Sequence, residues 1–241
     1  MKIYDISGVI REGIWRYSDT YPDYRQEHTS NEPGKCFFEI FHGFHSQTGT
    51  YLETTAHNNG YDKTRLLIDV PVEDLVNVPC RVLHLDFDET EKNGGKITVA
   101  MLEAAAVGMD FPKNCAILFE SGWDDWYSPD FLTGTHYLSR DAMEWILAKA
   151  PSIVGSDTAV WQKDEAVFDL FSATDILLLA PLVGLDRVGG VDAALTVLPV
   201  RVEGTCCAPA RAIVTEPSGN TAQFAAVALM AHMQRQIFEK I

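Results

Sequence analysis

Basic residues are scarce in this 241-residue chain, where 19 Lys and Arg stand against 34 Asp and Glu for a net charge of -15. A surface of that sign repels nucleic-acid phosphates and anionic lipid, so neither is expected as a partner. Long apolar runs are missing too. The longest, Ile176 to Leu185, is too short to span a bilayer and contains Pro181. The opening Met-Lys-Ile-Tyr-Asp-Ile-Ser lacks the apolar segment of a signal peptide, so a soluble, cytoplasmic protein is expected. The five cysteines, Cys36, Cys80, Cys115, Cys206 and Cys207, are odd in number and lack framework spacing, which makes reduced thiols the default.

What is present is the composition of a folded chain. Hydrophobic residues make up 46% and aromatic residues 10%, values of a globular protein that exclude wholesale disorder. The length suits one domain over residues 1–241.

Lys2 to Ile6 alternates like a short strand and leads into an aromatic-rich loop, Gly13-Ile-Trp-Arg-Tyr-Ser-Asp-Thr-Tyr-Pro22. Cys36 to Phe44, rich in Phe and Ile, reads as a buried strand. Pro71 to Val76 fits a short helix with Pro in its first turn, Cys80 to Phe87 a strand, and Glu89 to Lys96 a charged, glycine-containing turn. Thr98 and Ser139 are helix N-caps, the first for a helix reaching about Gly108 and the second for Arg140 to Lys149. Cys115 to Phe119 and Ser152 to Gly155 are apolar strands. Strand, helix and strand in alternation across 80–155 imply crossover units, hence parallel sheet and an α/β protein.

The stretch His-Ser-Gln-Thr-Gly-Thr-Tyr-Leu-Glu-Thr-Thr-Ala-His, residues 45–57, organises the rest. In an extended backbone His45, Gln47, Tyr51, Glu53, Thr55 and His57 share a face, with Gly49 as the place to bend. Such a wall of titratable and amide groups is a candidate site, although a solvated strand face would also be polar.

The stretch resembles the motif His-x-Gly-Thr-His-x-Asp-x-Pro-x-His of the cyclase family, which includes kynurenine formamidase and isatin hydrolase. Gly49, Thr50 and His57 match it, Glu53 stands for Asp, Thr55 for Pro, and Gln47 and Tyr51 for two metal-binding histidines. The resemblance extends to Ser121-Gly-Trp123, Tyr137-Leu-Ser139, Val154-Gly-Ser-Asp157, Leu198-Pro-Val and Gly204-Thr-Cys-Cys-Ala-Pro-Ala-Arg-Ala212. It implies a cyclase-like (swivelling β/β/α) α/β domain with a mixed sheet. It also implies a pocket loop, to which Tyr17 and Asp19 correspond with Trp15 beside them.

The resemblance further implies a divalent metal, zinc or manganese, held by the motif residues with a later His and Glu. Those later positions fall on Phe168 and Ala180. Only Gln47, Glu53 and His57 remain as weak metal candidates, too few good donors for a tight zinc site. His42 and His45 are near enough in sequence to be considered as ligands.

The expected function is hydrolysis of a small aryl or cyclic amide, ester or lactone, as in an arylformamidase. His57 is the general base, oriented by Glu53, and Tyr17, Trp15, Gln47 and Tyr51 bind substrate. The alternative is a non-catalytic small-molecule binder that kept the fold and lost the metal. Cys206 or Cys207 beside His57 would make a covalent hydrolase, whereas a buried cysteine acting as a small hydrophobe is commoner. Residues 221–241 read as a terminal helix, with Phe224, Val227, Ala228 and Ala231 on one stripe, and we expect it to pack in a homo-oligomer, a dimer or tetramer.

Overall fold

Residues 1–30, 32–163, 166–189 and 192–217 are described by the computed structural model. Among them the chain runs β1 (Lys2–Asp5), β2 (Arg25–Thr29), β3 (Phe38–His42), β4 (Tyr51–Thr54), α1 (Ala56–Asn59), β5 (Val78–His84), α2 (Phe87–Lys92), β6 (Lys96–Ile97), α3 (Val99–Ala105) and β7 (Ala116–Glu120). It continues through β8 (Tyr137–Leu138), α4 (Arg140–Leu147), β9 (Ile153–Ser156), α5 (Phe168–Ser172), β10 (Leu177–Ala180), β11 (Ala193–Pro199) and β12 (Cys207–Glu216).

Seven strands close on themselves in the order β12, β11, β5, β7, β9, β10, β4, because β4 pairs back onto β12, and β1 adds to β12 outside the ring. The stretch from β5 to β10 is parallel, as crossovers through α3 and α4 require, and the remaining pairings are antiparallel. The sheet is therefore mixed, and the expected α/β class holds.

Strand alternation decides which side chain goes to which layer. In β7, Ala116 and Leu118 enter the barrel core with Val82, Leu52, Leu179 and Val214. Their neighbours Ile117 and Phe119 face the other way, under helices α3 and α4, with Leu102, Met143 and Ile146. Thr98 and Ser139 cap those helices as expected, each accepting a hydrogen bond from the backbone N–H of the third helical residue. Truncating the fully buried Leu118 to Ala would cost about 2–5 kcal/mol, the transfer loss plus a cavity.

Two expectations change. The Phe-rich segment around β3 is not buried: β2 and β3 form a separate two-stranded hairpin, and Phe37, Phe38, Ile40, Phe41 and Phe44 are exposed. Glu89 to Lys96 is not a turn throughout, because α2 occupies its first half, capped by the Asp86 carboxylate accepting from Glu89 N–H. The helix expected at 221–241 lies outside the described residues. Among these residues no helix is long and apolar enough to cross a membrane.

Candidate active site

The site grows from β4. Leu52 points into the barrel, so Tyr51 and Glu53 point to the opposite face, where Tyr51 packs with Ala56, Cys206, Cys207, Trp15 and Tyr17. Gly49, just before the strand, holds φ at +74°, and a Cβ there would lie 2.9 Å from the Ile10 side chain. Only glycine fits that bend.

His57 does not reach the site by strand alternation, since β4 stops at Thr54. It sits in the single turn of α1, one helical turn beyond Glu53, and its Nδ1 lies 3.8 Å from Glu53 Oε2. Thr55 precedes α1 with its hydroxyl buried and unbonded. His45 is partly buried beside the ring of Tyr21 and accepts from Gln47 N–H at Nδ1, at the rim of this group. His42 faces Glu27 in the exposed hairpin at 2.9 Å and is not a ligand here.

A cavity of about 270 Å³ opens between these elements, lined by Tyr17, Tyr21, Gln47, Tyr51, Glu53, His57, Ala159, Val160, Trp161 and Phe168. Of the expected substrate-binding residues, Tyr17, Gln47 and Tyr51 lie on its wall. Trp15 does not; it backs Tyr17 edge-on at 5.0 Å and packs against Trp126 and Phe131. Asp19 is fully exposed and pairs with Arg16. Tyr21 belongs to the aromatic loop already singled out, but nothing local marked Trp161 or Val160 as lining residues. A larger hollow of about 490 Å³ beside Arg65 and Asn114 gathers no comparable acid–base pair, and its Arg65 is ion-paired with Asp175 at 2.9 Å.

Hydrogen bonds fix the wall. Tyr17 donates to Ala159 C=O at 2.8 Å and lies 2.7 Å from Tyr51 Oη. A phenol has one proton, so with that of Tyr17 given to the carbonyl, Tyr51 is the donor in the pair. Its O–H is therefore committed to Tyr17 and is not free to donate to a developing oxyanion. Gln47 accepts from Tyr21 at 3.5 Å and donates to Glu53 Oε2 at 3.4 Å, which leaves one amide N–H.

Glu53 is buried, and burial pushes its carboxyl up to about 7, against the opposing pull of His57. Hydrogen bonding to Cys206 raises the His57 imidazole, with Glu53 adding to it and partial burial opposing. Both phenols of the tyrosine pair are driven up by burial.

Behind the wall lie two thiols. Cys206 Sγ is 3.5 Å from His57 Nδ1, 3.6 Å from Tyr61 Oη and 3.8 Å from Cys207 Sγ. Hydrogen bonding with Cys207, then with His57 and Tyr61, holds the Cys206 thiol well below the usual range despite burial, while Cys207 is driven up by that same bond and by burial. Both cysteines are buried and neither lines the cavity, an arrangement that disfavours direct attack on a substrate held there.

The metal implied by the resemblance does not fit the positions of its motif. Tyr51 is a buried, protonated phenol committed to Tyr17, and an amide oxygen at Gln47 is a weak donor. Ala180 is the register partner of Tyr51 across β10 and β4, and Phe168 lies on the cavity wall. Both later motif positions thus come to the site, as hydrocarbon.

A second buried carboxylate ties two resembling segments together. Asp157, in the turn after β9, accepts from the N–H groups of Ser121 and Trp123 at 2.8 and 2.9 Å and from the Ser121 hydroxyl at 2.9 Å.

A mixed seven-stranded ring with helices over its parallel side and a titratable pocket on the β4 face defines a cyclase-like α/β fold. The cyclase family model matches residues 4–163, and the chain belongs to that family. Among solved structures it is similar to an isatin hydrolase bound to the product analogue thioisatinate, with TM-score 0.74 and 18% identity over 90% of this chain and 93% of that one. Isatin hydrolase A from Labrenzia aggregata, bound to benzyl benzoate, gives 0.74 and 16% over 88% and 93%. A predicted metal-dependent hydrolase from Bacillus stearothermophilus gives 0.68 and 20% over 88% and 97%. No curated protein sequence matches the chain.

Proposed function

We propose that the protein is a hydrolase of a small aryl or cyclic amide, ester or lactone, acting in the β4 cavity. The observation that carries this reading is the convergence of a buried carboxyl, Glu53, and a half-exposed imidazole, His57, on one aromatic-walled cavity sized for a single ring. The isatin hydrolase neighbours lend support from outside the chain.

In this mechanism the Glu53 carboxylate takes a proton from water as its oxygen adds to the substrate carbonyl. The remaining Gln47 N–H and the protonated His57 donate to the oxygen that becomes negative. The bond to the leaving nitrogen or oxygen then breaks, and the proton held by Glu53 passes to the leaving atom. Tyr17, Tyr21, Trp161 and Phe168 supply the apolar walls. Glu53 thus takes the base role that the sequence assigned to His57, because it is the more deeply buried of the two.

The second reading, a binder without turnover, is favoured by the Tyr17–Tyr51 phenol pair, which fills a position that is a metal-binding histidine in the resembled motif. A panel of aryl formamides, aryl esters and small lactones separates the two. Turnover of at least one class supports the hydrolase; binding of these compounds with no turnover of any overturns it.

Homo-oligomerisation is part of the same proposal. The hairpin exposes Phe37, Phe38 and Phe41, apolar surface of a kind that subunits cover. Light scattering that returns a multiple of 26.8 kDa supports it, and the single-chain mass overturns it.

A further inference from the structure

We propose that Cys206, Cys207 and His57 form a binding site for one thiophilic divalent ion of the zinc class, with a fourth position left toward Glu53. This site is distinct from the positions of the cyclase motif, of which it uses only the last histidine. It deepens the hydrolase reading of the same cavity, and its test reads metal occupancy instead of turnover, so that either can fail alone.

The argument is geometric. The two sulfurs and one imidazole nitrogen all lie within 4.8 Å of one another. A tetrahedral zinc site with metal–sulfur bonds of about 2.3 Å and metal–nitrogen bonds of about 2.0 Å places its donor atoms roughly 3.3–3.8 Å apart. The Cys206–Cys207 sulfur separation of 3.8 Å and the Cys206–His57 separation of 3.5 Å already have those lengths.

Adjacent residues of a strand turn to opposite faces, so two neighbouring cysteines converging on one histidine calls for a special backbone. The chain supplies it. β12 begins only at Cys207, and Cys206 lies in the turn before it, where Thr205 Oγ1 accepts from Cys207 N–H at 3.3 Å. That turn is pinned from both sides, since Thr54 N–H donates to Cys206 C=O at 2.9 Å and Leu67 N–H to Thr205 C=O at 3.1 Å. The donors are thus held by backbone bonds to β4 and to the segment after α1, which is the preorganisation a metal site requires.

The surroundings fit a thiolate pair. Tyr61 Oη stands 3.6 Å from Cys206 Sγ, within reach of a thiolate. Glu53 is the direct register partner of Cys207 and lies 3.8 Å from His57 Nδ1. Two thiolates neutralise a divalent ion, and its binding releases to solvent whatever protons the three donors still carry. Coordination through Nδ1 leaves His57 Nε2 free. A set of two cysteines and one histidine with an open position is also a donor set that catalytic zinc sites use, in contrast to closed structural ones.

The test uses the full chain purified under reducing conditions without chelator. Elemental analysis should return about one zinc per chain, and Co(II) added to the metal-free protein should give the thiolate-to-cobalt charge-transfer band of a tetrahedral site. Cys206→Ser and Cys207→Ser should each weaken binding by at least about tenfold. Cys36→Ser, in the hairpin cluster of His28, Cys36 and Glu39, should leave the band unchanged. Should a serine variant fail to fold, zinc protection of Cys206 and Cys207 from alkylation in the unaltered protein, read by peptide mass spectrometry, serves in its place. Absence of a stoichiometric metal and of the cobalt band overturns the proposal. So does a band that survives in Cys206→Ser/Cys207→Ser, or equal alkylation with and without zinc.

Discussion

Glu53 in β4 and Asp157 just after β9 are both buried carboxyls, yet their surroundings are opposite. Asp157 receives three hydrogen bonds of 2.8–2.9 Å, two of them from backbone N–H groups. Glu53 receives one long bond of 3.4 Å from Gln47 and has an imidazole at 3.8 Å. Burial pushes both up, Asp157 to about 6 and Glu53 to about 7. A carboxyl whose lone pairs are occupied is a structural fastener, whereas one that is desolvated and half-satisfied keeps capacity for a substrate or a proton.

The largest expected effect lies on the unsatisfied member. Glu53→Gln keeps the shape and the Gln47 contact but removes the base, so turnover of whichever ester, lactone or formamide proves to be a substrate should fall about 10²–10⁴-fold. A kcat/KM within a few-fold of the starting protein would sink the assignment of Glu53 as base. Asp157→Ala should do the reverse. It strands three buried donors and should cost about 3–5 kcal/mol of stability in denaturant melts. Asp157→Asn should cost far less, because the amide oxygen can take the two N–H groups and its NH₂ can donate to the Ser121 hydroxyl.

A third test uses pH. Burial raises the folded-state value of Glu53 above that of the unfolded chain, so the stability tied to its neutral form is complete below about 4.5 and is lost as pH rises through about 7. Glu53→Gln has no charge to bury. Its free energy of unfolding should therefore exceed that of the starting protein at pH 8, by on the order of 3 kcal/mol at most, and should match it at pH 4 to 5. An equal gain at both pH values would mean that packing, not ionisation, separates the two proteins.

The parts of this comparison were legible in the sequence to different degrees. Helix caps and apolar strands are local signals, so Thr98, Ser139 and the parallel stretch from β5 to β9 could be read directly. The motif frame paired Glu53 with His57, and the two line one cavity, but strand alternation gave the wrong route for His57, because a short helix replaced the strand. Contacts across distant segments left no local trace. Tyr17 meets Tyr51 because the loop after β1 folds over β4, and Cys206 meets His57 because β12 and β4 pair. The β3 segment misled for a related reason: its Phe and Ile content signals burial, but what a strand packs against is settled elsewhere in the chain.

The smallest effect is expected at Tyr51. Its hydroxyl donates only to Tyr17, whose own proton is held by the Ala159 carbonyl. Tyr51→Phe therefore removes one hydrogen bond while the ring stays packed, and the oxygen it abandons belongs to a phenol that keeps its other partner. About 0.5–1.5 kcal/mol of stability should be lost. Turnover should change by only a few-fold, since a committed O–H gives nothing to a developing oxyanion. A loss rivalling that of Glu53→Gln would mean that the tyrosine pair opens when substrate binds, and the satisfied and unsatisfied halves of the site would then exchange roles.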